Sequence, residues 1–273
     1  MNVGRVQLHR LLCVMVASWV CAASAQTSAQ DEIAKYRQML ADGNPAELTE
    51  ARGEDLWTQK RGPRQASLER CDLGLGPGVI KGANAQLPRY FADANRVMDL
   101  EARLVYCMET LQGIPFAEAT RRPFSDQGQP PTDMESIVAY VVAASRGAKI
   151  SVPQSHPMEK AAYRRGELAF YYRGGPFDFS CASCHGSDGQ RIRLQDLPNI
   201  AGNKEAAQRA FSTWPAYRVS QGAVRTMQWR LYDCFRQQRF PELKYTSQTS
   251  IDLITYLGVK ASGGTMDAPA IKR

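Results

Sequence analysis

The sequence has 273 residues, of which 44% are hydrophobic and 22% are charged, and its formal net charge is +7 at neutral pH. This length suits one large domain or two modest ones. The basic excess is mild and is not packed into a tract, which argues against nucleic-acid binding and fits a protein that handles small anions.

The N-terminus has the pattern of a secretory signal. Arg5 and Arg10 precede an apolar run at residues 11–23, and a small-residue cleavage pattern follows at residues 23–25. A membrane anchor is the alternative, but the run is shorter than the ~20 apolar residues that a spanning helix needs. We expect residues 1–25 to be removed on export to the periplasm, which leaves a formal charge of +5 and five cysteines.

The first predicted domain covers residues 26–150. Within it, Asp93 to Gln112 repeats apolar side chains at helical spacing, so a helix is predicted there. Thr132 and Glu135 form a capping-box pattern, which predicts the start of a second helix.

A haem-attachment motif lies in the second half of the chain. Cys181, Cys184 and His185 have the Cys-x-x-Cys-His spacing of c-type haem attachment, in which two thiols bind the porphyrin and the imidazole meets the iron. A thioredoxin-like redox pair expects a βαβ context, and a zinc site expects a second ligand pair; the sequence offers neither. We therefore predict one covalent haem c per chain.

Helices are predicted on both sides of this motif. One runs from Met158 to Arg173 with Ser155 as its cap, and another runs from Thr249 to Leu257 with Gly258 just past its end. Such a pair encloses the porphyrin in small cytochromes c, so residues 151–260 are predicted to form a haem-binding cytochrome c domain. Residues 261–273 are predicted to be a flexible tail.

The first half resembles a degenerate copy of the second. Six positions match at a constant separation of 113 residues: Arg52-Gly53-Glu54, Gly62 with Pro63, and Cys71 match Arg165-Gly166-Glu167, Gly175 with Pro176, and Cys184. The copy lacks the first haem cysteine and the histidine. We therefore predict an all-α fold of two tandem cytochrome c-like domains, the N-terminal one haem-free, in preference to one large helical domain.

A domain without haem needs another constraint, and Cys107 is a candidate to provide it. In an exported protein, a disulfide between Cys71 and Cys107 would contribute on the order of 3 to 4 kcal/mol through loop-closure entropy. The alternative is a pair of buried free thiols.

The second axial iron ligand is expected downstream of His185, and the candidates are Met227, Cys234 and Met266. Methionine is the ordinary ligand in cytochromes c. Cys234, however, is the odd cysteine left after haem attachment and the predicted disulfide, and an unpaired exported cysteine needs an explanation.

The segment from Met227 to Gln238 is predicted to be helical, with Met227, Arg230 and Cys234 on one face. Arg230 would stabilise a thiolate and bind an oxyanion. We interpret the other arginines of the region as a solvated surface: Arg225, Arg236 and Arg239.

Three segments carry a family resemblance: residues 181–186 (CASCHG), 214–218 (WPAYR) and 228–234 (QWRLYDC), with residues 71–78 (CDLGLGPG) in support. Together they resemble the SoxA family, the larger cytochrome subunits of thiosulfate-oxidising SoxAX enzymes. The resemblance covers most of the mature chain and is closest to the single-haem branch, because the first half lacks Cys-x-x-Cys-His.

The resemblance implies an L-cysteine S-thiosulfotransferase with a catalytic haem. Cys234 would be an axial iron ligand carrying a persulfide, opposite His185, and Arg230 would lie in the substrate site. The implied partners are a SoxX-like small cytochrome c in a heterodimer and a SoxYZ-like carrier protein, with thiosulfate as substrate. Two other functions stay open: a soluble electron carrier ligated by His185 and Met227, and a binding platform for a smaller cytochrome.

Overall fold

The computed structural model describes residues 43–192 and 195–272, so the predicted signal at residues 1–25 lies outside them. The helices of the first half are α1 (Ala46–Thr58), α2 (Leu100–Cys107), α3 (Phe116–Ala119) and α4 (Asp133–Ala143). A 3-10 turn, a hairpin and a π-helical turn complete this half: Asn84–Gln86, strands β1 (Arg89–Phe91) and β2 (Arg96–Met98), and Met108–Gln112.

The second half has the same helical character. Its helices are α5 (Pro157–Tyr171), α6 (Cys181–His185), α7 (Lys204–Ser212), α8 (Met227–Gln237) and α9 (Gln248–Lys260). Its strands are β3 (Arg191–Ile192), β4 (Gln195–Asp196), β5 (Ala216–Arg218), β6 (Ala223–Arg225) and β7 (Ala270–Lys272). Strand β5 pairs antiparallel with β6 and parallel with β7, in the order β6-β5-β7.

Two predictions need correction. The fold is mainly helical, but the short strands show that the all-α prediction is incomplete. The flexible tail predicted for residues 261–273 is wrong over its described part, because Met266 and Ala268 are buried and β7 pairs with β5. Across the described residues, no helix is long and apolar enough to cross a membrane.

Each half contains one closely packed helix pair that depends on a glycine. In the α1/α4 pair, a Cβ on Gly53 would lie 2.0 Å from the Ser136 carbonyl oxygen. In the α5/α9 pair, a Cβ on Gly166 would lie 2.0 Å from the Asp252 carbonyl oxygen. Glycine is therefore required at both positions, because any larger residue would push the paired backbones apart.

The loop after the first helix of each pair is also repeated. Arg61 and Ala66 form an antiparallel bridge, and the residues 113 positions later, Gly174 and Phe179, form another. Gly62 and Gly175, one residue into each bridge, both have φ of 68°, a left-handed conformation that favours glycine. The sequence match therefore extends to backbone conformation.

The first half is closed by a disulfide between Cys71 and Cys107, which are 36 residues apart. Cys107 is the last residue of α2. That helix starts later than predicted, because residues 96–98 form β2 and the Asp99 side chain caps the helix by accepting from the Ala102 amide at 2.9 Å.

The predicted caps of the second half are also displaced. His156, not Ser155, caps α5, and Ser247 caps α9, which starts one residue before the predicted Thr249. Within α9, the Asp252 carboxylate accepts two hydrogen bonds from Arg165, at 2.7 and 2.9 Å. The predicted capping box at Thr132 and Glu135 is confirmed.

A buried ion pair joins residues from the two halves of the sequence. Arg225, at the end of β6, is 1% exposed and lies 3.0 Å from Glu135 in α4. Its guanidinium also donates to the Ser125 carbonyl and lies over the Trp229 ring. The interpretation of Arg225 as a solvated residue is therefore wrong, and this arginine belongs to the core.

Candidate active site

The cysteines of the haem motif are oriented by a short capped helix. Ser180 begins α6: its hydroxyl accepts from the Ser183 amide at 3.1 Å, and the Ser183 hydroxyl accepts from the Ser180 amide at 3.0 Å. Cys181 and Cys184 are three residues apart on this turn and therefore share one face. Both are free of disulfide bonds, so their thiols are available for attachment.

His185 is held with one ring nitrogen engaged. Its Nδ1 lies 2.9 Å from the Pro198 carbonyl oxygen, which fixes Nδ1 as the protonated nitrogen and leaves the Nε2 lone pair for a metal. Burial lowers the pKa of His185, which favours the neutral imidazole that binds iron. The His185 carbonyl accepts from the Ile200 and Ala201 amides, which anchors the following loop.

Cys234 lies on α8, which Thr226 caps by accepting from the Trp229 amide at 3.2 Å. It is a free cysteine, and burial raises the pKa of its thiol, while the Arg230 guanidinium lowers that pKa and Cys184 raises it. Burial, followed by the charge of Cys234, raises the pKa of Cys181 to about 12. The structure thus brings Cys234 within electrostatic range of both cysteines of the motif.

The two methionine candidates lie in other surroundings. Met227 lines a small cleft together with Asp99, Glu101 and Phe211, and none of the haem-motif residues lines it. Met266 is 2% exposed in the core, and its amide donates to the Ala148 carbonyl. Of the three candidates for the second iron ligand, Cys234 is therefore the one that lies near the haem-attachment motif.

Arg230 is the predicted substrate-binding residue, and its contacts are weak. Its Nη1 lies 3.4 Å from Asp233, whereas Arg236 and Gln237 bind that carboxylate at 2.8 and 2.6 Å. Arg230 is part-buried and affects the pKa of both Cys234 and His185. Its guanidinium is thus close to the motif and available to another anion.

Two further cations were missed by sequence reasoning. The first is Arg218, at the end of β5, whose charge also lowers the pKa of Cys234. The second is Lys272, in β7, whose own pKa is lowered by burial and by the nearby Arg218 and Arg230. The sequence did offer a signal for Arg218, because this residue lies in segment 214–218, one of the three that carry the family resemblance. Lys272 had none, because its segment was predicted to be a flexible tail.

A mainly helical fold with a capped Cys-x-x-Cys-His turn is typical of cytochromes c. Residues 52–150 match the family model described as SoxA/TsdA, cytochrome c domain. The chain is 49% identical to the L-cysteine S-thiosulfotransferase subunit SoxA of Hydrogenophilus thermoluteolus, over 96% of this chain and 97% of the relative. A SoxA subunit of Hydrogenobacter thermophilus is 33% identical, over 92% of each chain. The chain belongs to the SoxA family.

A solved structure supports the fold independently. The chain matches a crystal structure of SoxXA from P. pantotrophus with a TM-score of 0.71 and 23% identity, over 88% of this chain and 84% of that one. The resemblance read from the short sequence motifs is therefore confirmed over nearly the whole length.

Proposed function

We propose that this chain is the haem-bearing subunit of an L-cysteine S-thiosulfotransferase, which joins thiosulfate oxidatively to a cysteine of a SoxYZ-like carrier protein. The observation that carries the proposal is the proximity of a free, part-buried Cys234 to the haem motif in a chain 49% identical to a subunit of that name. An electron carrier has no need of such a cysteine.

The residues present fit one covalent haem c. Cys181 and Cys184 would form the thioether bonds, and His185 through Nε2 and Cys234 through its sulfur would bind the iron, since soft sulfur and imidazole are common haem ligands. The free thiols and the engaged Nδ1 of His185 support this assignment. When bound, the haem accepts electrons one at a time.

The chain's own contribution is to activate sulfur and to neutralise charge. The Cys234 thiolate, or the persulfide that the family resemblance implies, would form one S–S bond with the sulfane sulfur of thiosulfate. This bond formation releases two electrons, and c-type haems in this chain and in its partner would supply the one-electron acceptors. The carrier thiolate then attacks that sulfane sulfur, which releases Cys234 unchanged. Arg230 offsets the repulsion between these anions.

We also propose that the protein comprises two tandem cytochrome c-like domains, at 26–150 and 151–260, with haem in the second only. The repeated glycine contacts and the repeated loop support this division. The family model gives further support, because a cytochrome c model matches residues 52–150, the half without the motif.

The proposed partner is a SoxX-like small cytochrome c in a heterodimer, and the proposed location is the periplasm. The structural similarity to the SoxXA complex supports this partner. A partner haem also meets the chemical need, since the conjugation releases two electrons and one haem accepts one at a time.

The test is to replace Cys234 by Ser and, as a matched control on the same helix face, Met227 by Leu. We expect Cys234→Ser to change the visible spectrum and to abolish thiosulfate conjugation to the carrier, read as a mass increase of the carrier. Met227→Leu is expected to leave both nearly unchanged. A spectrum that responds to Met227→Leu but not to Cys234→Ser would contradict the proposed ligand and its catalytic role.

A further inference from the structure

The sheet at the C-terminus brings a lysine to the candidate site. Arg218 is the register partner of Lys272 where β5 and β7 run parallel, and the Val219 amide donates to the Lys272 carbonyl at 2.8 Å. The Lys272 ammonium lies 5.6 Å from the centre of the Trp214 ring, which orients it across the start of β5. The last described residues of the chain thus supply a cation beside Arg218.

These two part-buried cations form no direct contact with a carboxylate in the described part of the chain. Among residues 43–192 and 195–272, neither Arg218 nor Lys272 forms an ion pair, and the buried Arg218 Nε has no hydrogen-bond partner. Asp233 attracts Arg218 and Asp267 attracts Lys272 at longer range, but neither carboxylate forms an ion pair with them, and Asp233 is already bound closely by Arg236 and Gln237. An unpartnered guanidinium nitrogen is costly to bury, and this cost is recovered only when an acceptor occupies the site.

Electrostatic interactions connect both cations with Arg230. Burial, and then the charges of Arg218 and Arg230, lower the pKa of Lys272 to about 8. The pKa of Arg218 is lowered mainly by burial and next by the charge of Arg230, whereas Asp233 and Cys234 raise the pKa of Arg218. Arg218 and Arg230 therefore lie within electrostatic range of Cys234, Lys272 lies within range of both arginines, and a bound anion would relieve the repulsion among the three cations.

We propose that Arg218, Arg230 and Lys272 form one oxyanion-binding site beside Cys234, which holds the sulfonate end of thiosulfate. This inference rests on the proposed function and deepens it by adding Arg218 and Lys272 to the substrate site. Guanidinium groups present planar forks that suit oxyanions, and the ammonium adds a compact charge. With the sulfonate held there, the nucleophilic sulfane end is the part of the substrate left to meet Cys234.

The experiment uses the haem-loaded full chain and sulfate as a probe that binds without reacting. We compare Arg218→Met and Lys272→Met with Arg164→Met and Lys160→Met, which remove equal charges from exposed positions on α5. Loss of one charge-assisted contact is expected to weaken sulfate binding about ten- to a hundred-fold, measured by calorimetry. The KM for thiosulfate is expected to rise in parallel, and both controls are expected to bind as the original chain does.

Two conservative variants separate charge from folding. Arg218→Lys and Lys272→Arg retain the cation, so we expect them to recover most of the sulfate affinity, with an unchanged visible spectrum. Sulfate binding that is unaffected by both methionine variants would overturn the anion site, even if conjugation continued and the proposed function stood. Conversely, weakened sulfate binding in a chain that never conjugates thiosulfate would leave the anion site in place and refute the proposed function.

Discussion

Cysteine occurs in three chemical settings in this chain, and its surroundings distinguish them. Cys71 is bonded to Cys107 in the first half, whereas Cys181 and Cys184 are free thiols on a capped turn. Cys234 is a part-buried free thiol whose pKa is raised by burial and lowered by Arg230 and Arg218. Spacing along the sequence was enough to predict the motif and to single out Cys234. Spacing could not predict that Arg218 and Lys272 lie side by side, because the pairing of β5 with β7 joins residues far apart in the sequence.

Glu101 is a second residue whose surroundings were not predictable. It is 3% exposed in α2 and accepts from the Tyr245 hydroxyl at 2.8 Å, across 144 residues of sequence. Burial and the neighbouring Asp99 raise its pKa to about 8. The periodicity of α2 placed apolar side chains correctly but gave no reason to bury a carboxyl group.

This carboxyl group predicts a pH dependence of stability. The folded chain retains the Glu101 proton up to about pH 8, whereas the unfolded chain loses it near the usual value of 4.5. Folding therefore takes up a proton between these values, and the free energy of unfolding should fall as pH rises from about 4.5 to 8. Denaturant titrations across this range should show a flatter profile for Glu101→Gln.

The matched control for this prediction is Glu118→Gln, which changes an exposed carboxyl group on α3. Its pH profile should follow that of the original chain. An identical slope in the Glu101→Gln profile would show that Glu101 is not the group responsible.

Among the elements, the paired helices were the part best predicted from sequence. The match of Arg52-Gly53-Glu54 with Arg165-Gly166-Glu167 identified α1 and α5 as equivalent, and in both pairs the arginine forms an ion pair with the partner helix, to Asp133 or Asp252. Helix boundaries were less well predicted, because caps depend on which of several Ser, Thr or His side chains reaches an amide. Strands of two or three residues carry too little periodicity to be recognised.

The close approach of these helices predicts a strong effect of one added methyl group. We expect Gly166→Ala to lower the free energy of unfolding by about 3 kcal/mol, because its Cβ would overlap the backbone of α9 and neither backbone can retreat cheaply. Chemical denaturation of the haem-loaded chain measures this loss.

Gly258→Ala is the matched control, on α9 itself. The nearest atoms to its Cβ are in the Val152 and Phe211 side chains, which can adjust, so a smaller loss is expected. Equal losses in the two variants would show that backbone contact is not what requires glycine at Gly166.

For the whole molecule, the proposed division into two related halves is a prediction that draws support from the repeated helix pairs. It did not account for their connection, in which Arg225 of the second half pairs with Glu135 of the first. The sequence also did not predict that the C-terminal segment is packed, since Gly263, Gly264 and Pro269 are typical of a flexible segment. Local composition could not show that β7 pairs with β5.

The proposed assembly gives a prediction for the complete protein. Expressed with haem-attachment machinery and a SoxX-like cytochrome, the chain should carry one haem after denaturation and should elute with that cytochrome as a heterodimer. Haem counting by absorbance of the denatured chain, together with size-exclusion chromatography, measures both. Chain variants with Cys181 and Cys184 replaced by Ala should carry none. Two haems per chain, or a haem removed by acid-acetone, would contradict the single covalent site.

The pairing of β7 with β5 joins segments that are more than 50 residues apart, which sets an order of assembly. Synthesis proceeds from the N-terminus, so residues 181–185 emerge before residues 270–272. The β5/β7 pair can therefore form only after the haem motif has been synthesised.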